Sequence, residues 1–352
     1  MSTDGPVVPA SLADITAPWL SEVLGQPVDG ISVVPLTGTE AGFLGDVARI
    51  LIEPPTDEIA SLIVKLPPAD PGGRHVGAML NVWAREQAFY HEVAPASPGA
   101  RVPRCHLAAG DPEHDRWILV LEDCPSEPLV PATGASRAQA DAAIDALVGL
   151  HAAWWEADTR YSWMPGMDTS GFGGLAPLWT AAVPRFLERY GHLLPDGTDR
   201  WLGLAPEWLP DWAARAATEP LTIAHADYRL DNLRYHDGAM TMIDWQTALR
   251  GPGPMDLASF VATACTIPDR RRWEPELLER YEVGLRAGGV DVDRGWLERS
   301  YDENLVWWMG QFANNLANLA PADPEAQAAL DTTVERTFAA AADRDVGRLL
   351  VA

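Results

Sequence analysis

Lysine is almost absent from this chain of 352 residues: of its 26 Lys and Arg, one is Lys, at position 65. Cysteine is scarce too. Cys105, Cys124 and Cys265 are an odd number with no Cys-x-x-Cys, which argues against a disulfide framework and fits a reducing cytoplasm. Basic charge is outnumbered 26 to 50, for a net charge of -24. A surface so acidic repels nucleic acid and anionic membranes, so neither is expected as a partner. No apolar run approaches the length of a bilayer span. The start, "MSTDGPVVPASLADI", lacks the basic and apolar stretches of a leader.

What is present is a hydrophobic fraction of 47%, enough for one large domain or two smaller lobes. "SLADITAPWLSEVLG" reads as a helix capped by Ser11, with Leu12, Ile15, Leu20 and Leu24 on one side. "ISVVP", "VARILIE" and "ASLIVKL" read as three strands of an antiparallel meander, because no connection is long enough for a crossover helix. Gly38, Gly42 and Gly45 lie in the first connection. Residues 76–93 read as one helix with an apolar stripe of Met79, Val82, Trp83, Phe89, Tyr90 and Val93. "RVPRCHLAAG" and "RWILVLEDC" continue as strands. The Pro-rich "PSEPLVPATGA" marks a lobe boundary, dividing the chain at 1–123 and 124–352. Beyond it the pattern is helical except for a loop-and-strand segment at 221–245.

Two features carry chemistry. The lone Lys65 ends an apolar strand, where a compact point charge on a flexible stem differs from what arginine offers. Glu86 falls inside the apolar stripe of the following helix, and a carboxylate buried there needs a partner. The second feature is "HADYRLDNLRYHDGAMTMIDW". His225, Asp227 and Asn232 precede Asp244 at the end of an apolar strand. Phosphoryl transfer needs a carboxylate to receive the acceptor proton and divalent cations on the phosphates. Asp227 suits the first role. Asn232 and Asp244 offer oxygen ligands of the kind magnesium takes. Arg229 is spaced to meet the transferring phosphate. Neither a zinc site nor a calcium loop has its ligand spacing here. His151 reads as a hydrogen-bonded helix histidine, and Asp256 as an N-cap or a brace for the loop.

"HADYRLDN" and "MIDWQTALRGPGPMDLA" resemble the two signature segments of the aminoglycoside phosphotransferase and choline kinase-like family. "EQAFY" and "ILVLED" are similar to its N-lobe helix and hinge. The resemblance implies an α+β, bilobal, protein kinase-like fold. Its N-lobe is a small antiparallel sheet with one main helix; its C-lobe is larger and mostly helical. It implies an ATP- and Mg2+-dependent kinase that phosphorylates a hydroxyl of a small molecule. Asp227 would be the base, with Asn232 and Asp244 on the metal. Lys65 would hold phosphates and Glu86 would position Lys65. Gly42 and Gly45 would cover the phosphates, and Leu121, Glu122 and Asp123 would meet adenine. His225 and Asp256 would shape the catalytic loop. The loop "GTEAGFLGD" departs from Gly-x-Gly-x-x-Gly, and Asp-Trp-Gln stands where protein kinases have Asp-Phe-Gly, so no flipping activation segment is expected.

Two other readings stay open: an inactive kinase-like binding protein, and a true aminoglycoside kinase. The presence of Lys65, Glu86, Asp227, Asn232 and Asp244 together weighs against the first. Against the second, Asp302 and Glu303 are the evident candidate carboxylates for a polycation, and the surrounding 156–215 and 296–320 are rich in Trp. Those segments, Trp308 among them, are expected to wall an acceptor pocket for an apolar or singly charged alcohol.

Overall fold

The computed structural model describes residues 6–36, 45–55, 58–97, 99–127, 129–157, 161–167, 172, 174–319, 321 and 323–351. The chain divides into two compact units. One comprises Met1–Ser97, Val102–Pro125 and Ile243–Thr247; the other comprises Pro98–Arg101, Ser126–Met242 and Ala248–Ala352.

In the first unit, β1 (Gly30–Pro35), β2 (Asp46–Glu53), β3 (Ser61–Leu66), β4 (Cys105–Asp111) and β5 (Arg116–Glu122) form one antiparallel sheet in the order β1-β2-β3-β5-β4. The strands alternate. Ala48, Ile50, Ile52, Leu62, Val64, Leu66, Ile118 and Val120 are buried with Ile15 and with Leu20 of helix α1 (Ala17–Leu24). Each large aliphatic side chain buried in this way contributes about 1.5–3 kcal/mol. Val47, Lys65 and Leu119, which pair across the three central strands, project from the opposite face because side-chain direction has a period of two.

Two expectations about helices need correction. Ser11 caps only one 3-10 turn, Leu12–Asp14, and α1 starts at Ala17 behind Thr16, whose hydroxyl accepts the Trp19 N–H. Pro18 is the cause: it lacks an N–H and suits only a first turn. Residues 76–93 are not one helix either. They belong to α2 (Pro71–Met79), α3 (Val82–Ala88) and a final π-helical stretch, Phe89–Val93. The break falls at Asn81, with φ 53°, a left-handed conformation that Asn tolerates better than most residues. It leaves Met79 exposed and Val82 buried. Gly77 permits the corner, since a Cβ there would stand 2.4 Å from the Trp83 ring.

The second unit is largely helical. Helix α4 (Arg137–Trp154) starts with a capping box between Ser136 and Gln139. Helices α5 (Leu175–Tyr190) and α6 (Thr198–Ala216) follow. Two short antiparallel pairs come next: β6 (Thr222–Ala224) with β9 (Leu249–Gly251), and β7 (Leu233–His236) with β8 (Ala239–Met242). The β7–β8 turn is Asp237–Gly238, both at positive φ, as a two-residue hairpin requires. Helices α7 (Pro254–Ala264), α8 (Ile267–Ala287), α9 (Arg294–Leu316) and α10 (Pro324–Asp343) complete the unit. Helix α7 is buried along its whole length, and α9 over most of its second half and part of its first. No helix among the described residues is long and apolar enough to cross a membrane.

Candidate active site

In the first unit Lys65, Glu86 and Asp244 meet. The Lys65 Nζ donates to Glu86 Oε1 at 2.8 Å, to Glu86 Oε2 at 2.9 Å and to Asp244 Oδ1 at 2.7 Å. Burial alone would lower the ammonium pKa, but the Asp244 and Glu86 carboxylates outweigh it and raise the value, so Lys65 stays charged. The trio borders a solvent-open recess of about 420 Å³, whose lining also includes Gly45, Val47, Trp83, Leu119 and Gln246. A partner for the buried Glu86 is expected from the sequence, and Lys65 is that partner. The third member, Asp244, comes from a segment far along the chain.

Asp244 is held by its neighbours in the chain. Its φ is 65°, a conformation costing a non-glycine residue roughly 1–3 kcal/mol. The following Trp245 is fully buried and stacks on Phe89, with ring centroids 3.8 Å apart and planes 8° from parallel. Its N–H donates to Glu86 Oε1 at 3.2 Å, and Gln246 Nε2 donates to Asp244 Oδ2 at 3.3 Å. Reading the motif as Asp-Trp-Gln did not reveal this stack, because Phe89 lies far away in sequence. Trp245→Ala is expected to destabilise the protein by about 3–5 kcal/mol, measured as a fall in the denaturant midpoint.

The remaining sites assigned to the nucleotide in the first unit differ. Gly42 lies outside the described residues. Gly45 lies against β3, where a Cβ would stand 3.1 Å from the Leu66 carbonyl oxygen. Leu121 is buried. The Glu122 N–H already donates to the Arg104 carbonyl at 2.8 Å. The Asp123 carboxylate is tied to the sheet by Arg49 Nε and Ser61 Oγ, each at 2.6 Å. Any adenine contact in this stretch therefore falls to other backbone groups.

In the second unit the loop after β6 brings together His225, Asp227, Arg229 and Asn232. Asn232 Nδ2 donates to the Asp227 carbonyl and to Asp227 Oδ2, both at 2.8 Å. Arg229 Nε lies 2.7 Å from Asp227 Oδ1, and its NH1 lies 3.2 Å from Asp231 Oδ2. Arg229, expected to face a phosphate, is thus turned toward two carboxylates. Burial would raise the Asp227 pKa; the Arg229 guanidinium, with His225 and the Asn232 amide, overcomes it and holds the carboxyl below its usual range. His225 is buried in the frame, edge-on to Tyr228 with centroids 5.9 Å apart. Tyr228 is anchored through its hydroxyl to the Ala143 carbonyl of α4 at 2.8 Å.

Asp256 is fully buried in the first turn of α7, but it is not the N-cap; Gly253 is. Its carboxylate accepts the His225 N–H at 2.7 Å and the Ala226 N–H at 2.8 Å. It therefore braces the loop. His151 is the hydrogen-bonded helix histidine expected, with partners Tyr281 and Asp256.

The residues proposed to receive a cationic acceptor are not available. Asp302 is buried, accepts Arg344 Nε at 2.6 Å and also pairs with Arg348. Glu303 accepts Arg215 NH2 at 2.8 Å. Several of the tryptophans fill the core. Trp307 packs with Phe172, Trp179 and Trp212. Trp308 is buried and donates its indole N–H to the Met255 carbonyl at 2.9 Å, so it belongs to the framework. Large aromatics at helical spacing bury area first and bind ligands second.

A family model described as "Phosphotransferase enzyme family" matches residues 49–296. The chain belongs to the phosphotransferase enzyme family. It is accordingly a phosphotransferase enzyme, with a kinase-like α+β fold. Among solved structures, this phosphotransferase is similar to a putative aminoglycoside phosphotransferase from Ralstonia eutropha. The TM-score is 0.56 and the identity 14%, over 94% of this chain and 97% of that one. It is also similar to an aminoglycoside phosphotransferase solved with gentamicin, at TM-score 0.53 and 13% identity, over 94% and 99% of the two chains. Among curated proteins it matches the uncharacterized oxidoreductase dhs-27 of Caenorhabditis elegans, 23% identical over 333 residues. That match takes in 83% of this phosphotransferase, and it spans only 40% of the relative's length.

Proposed function

We propose that the protein transfers the γ-phosphoryl group of ATP to a hydroxyl of a small molecule, with Mg2+ as the metal. The observation that carries this reading is the ammonium of the chain's lone lysine held between two carboxylates at 2.7–2.9 Å. Lys65 binds the α- and β-phosphates and Glu86 fixes its direction. The backbone around Gly45 covers the phosphates, and the backbone near Leu121 to Asp123 meets adenine. Asp227 accepts the proton of the acceptor hydroxyl as its oxygen bonds to phosphorus and the bond to ADP breaks. Asp227 Oδ2 already takes Arg229 NH2 and Asn232 Nδ2, so the acceptor proton goes to Oδ1, where Arg229 Nε uses one of two lone pairs. Arg229 keeps Asp227 ionised and supplies positive charge for the transferring group. His225 and Asp256 hold the loop.

Each residue proposed as a metal ligand carries a donor of the kind magnesium takes. Asp244 offers carboxylate oxygens. Asn232 spends its amide nitrogen on Asp227, which leaves its amide oxygen as a ligand. Among the described residues no group of three or more His, Cys, Asp or Glu could hold a metal, and a few protein oxygens suit an ion shared with nucleotide phosphates. When bound, magnesium neutralises phosphate charge.

For the acceptor, an apolar or singly charged alcohol is the better fit. Asp302 and Glu303 are already matched by arginines, so they offer a polycation little. The three unbridged cysteines are in keeping with a cytoplasmic enzyme. The test is ADP release with ATP and Mg2+ over a panel of hydroxylated compounds of graded charge, at two salt concentrations. Turnover of a neutral or singly charged alcohol with a salt-insensitive KM is expected. Efficient turnover of an aminoglycoside, with a KM that rises steeply with salt, would overturn the acceptor class.

A further inference from the structure

Behind the loop that carries Asp227 lies a buried chain of polar groups on three helices. Asp256 of α7, His151 of α4 and Tyr281 of α8 are each fully buried. His151 Nε2 lies 3.2 Å from Asp256 Oδ2, and His151 Nδ1 lies 2.7 Å from the Tyr281 hydroxyl. A carboxylate only accepts, so the nitrogen facing it carries the proton. In the neutral imidazole Nδ1 is then the acceptor, and Tyr281 donates to it. Burial and the Asp256 carboxylate both raise the Tyr281 pKa, which keeps that proton in place. The same Asp256 carboxylate holds the amides of His225 and Ala226. Ala226, at φ 60°, immediately precedes Asp227, and a left-handed alanine persists only where its surroundings enforce it. Room is reserved for the arrangement. A Cβ on Gly253 would stand 2.3 Å from the Tyr281 oxygen and 3.0 Å from His151 Nδ1.

We propose that His151 and Tyr281 are positioning residues for Asp227: they orient the Asp256 carboxylate, whose two oxygens hold the amides that set the loop. The inference rests on the reading of Asp227 as the base. Asp256 touches the loop directly; His151 and Tyr281 act through it. A packing role alone would need neither a directed hydroxyl nor a chosen tautomer.

The test uses Tyr281→Phe, which deletes one oxygen, together with His151→Phe and the conservative His151→Gln. Two quantities are read: amide exchange in the peptide containing His225 and Ala226, and hydrolysis of Mg-ATP in the absence of any acceptor. In Tyr281→Phe the exchange in that peptide is expected to quicken by about tenfold, the loss of one supporting hydrogen bond. Exchange in the β-sheet unit should stay unchanged. Turnover falls in the same proportion while the KM for ATP stays within about twofold, the pattern of a lost transition-state interaction. His151→Phe does the same or more, and His151→Gln recovers part of the loss. Folded Tyr281→Phe and His151→Phe with wild-type exchange at His225 and Ala226 overturn the inference, even if hydrolysis is too slow to follow. An Asp227→Asn control separates the two readings. If it abolishes turnover while the Tyr281 and His151 variants keep it, the positioning role alone falls. If it leaves turnover intact, the base assignment falls and takes the positioning role with it. Should His151→Phe fail to fold, Tyr281→Phe decides.

Discussion

Asp227→Asn should fold, bind ATP as tightly as the parent and lose phosphoryl transfer by roughly 10²–10⁴-fold, the range for a positioned proton acceptor. The substitution is nearly isosteric. Asn232 can still donate to the side-chain oxygen that replaces Oδ2. What disappears is the charge that receives the acceptor proton and pairs with Arg229 at 2.7 Å. Calorimetric titration with ATP and Mg2+ checks binding, and single-turnover transfer to an acceptor found in the panel checks chemistry. A purified variant with parental turnover would remove Asp227 from the mechanism. The same geometry fixes a pH response. Because Arg229 and its neighbours hold the Asp227 pKa below the usual carboxylate range against the effect of burial, the base stays ionised as the solution is acidified. Arg229→Ala removes that support and leaves the burial. The acid limb of the rate profile should then move to higher pH, and activity should be lost sooner on acidification.

Much of this arrangement was legible in the residues because the decisive signals are local. The apolar, β-branched run "ASLIVKL" placed Lys65 at the end of a strand, and the stripe at spacings of three and four in residues 76–93 placed Glu86 on a helix face. The spacing of Asp227 from Asn232 is short-range too. What escaped depends on contacts distant in sequence. Nothing near Trp245 indicates that Phe89 will stack on it, and nothing near His151 points to Tyr281. The break at Asn81 was missed because the apolar stripe runs through it with helical spacing, although a single left-handed residue changes which side chains are buried. Asp302 and Glu303 looked like unclaimed acids. Their partners, Arg344, Arg348 and Arg215, come from other segments of the chain, and pairing of that kind has no sequence period.

Lys65 separates stability from function, which makes its variants the second large expectation. Lys65→Arg keeps the charge, but a planar guanidinium cannot reproduce three short contacts made by one nitrogen. Losing even one charged hydrogen bond in the nucleotide complex is worth about 1.5–3 kcal/mol, so the KM for ATP should rise by at least about tenfold. Unchanged ATP kinetics would show that the lone lysine has no special role. Lys65→Met goes further. It leaves Glu86, only 3% exposed, without its cation, and removing one partner of a buried pair costs about 3–5 kcal/mol. Burial already raises the Glu86 pKa, and Lys65 is the main influence opposing it. With the lysine gone, the folded-state pKa stands further above the unfolded one. Stability is then fullest at low pH and is lost as pH rises through the folded value. The deficit of Lys65→Met relative to the parent should therefore be greatest at neutral pH and shrink on acidification, as read from denaturant midpoints across the range. Lys65→Met combined with Glu86→Gln removes the more deeply buried of the two carboxylates left without their cation, and should recover much of the stability while remaining unable to use ATP. Recovery of both together would show that the pair serves the fold alone; recovery of neither would show that the loss in Lys65→Met does not come from the uncompensated carboxylate.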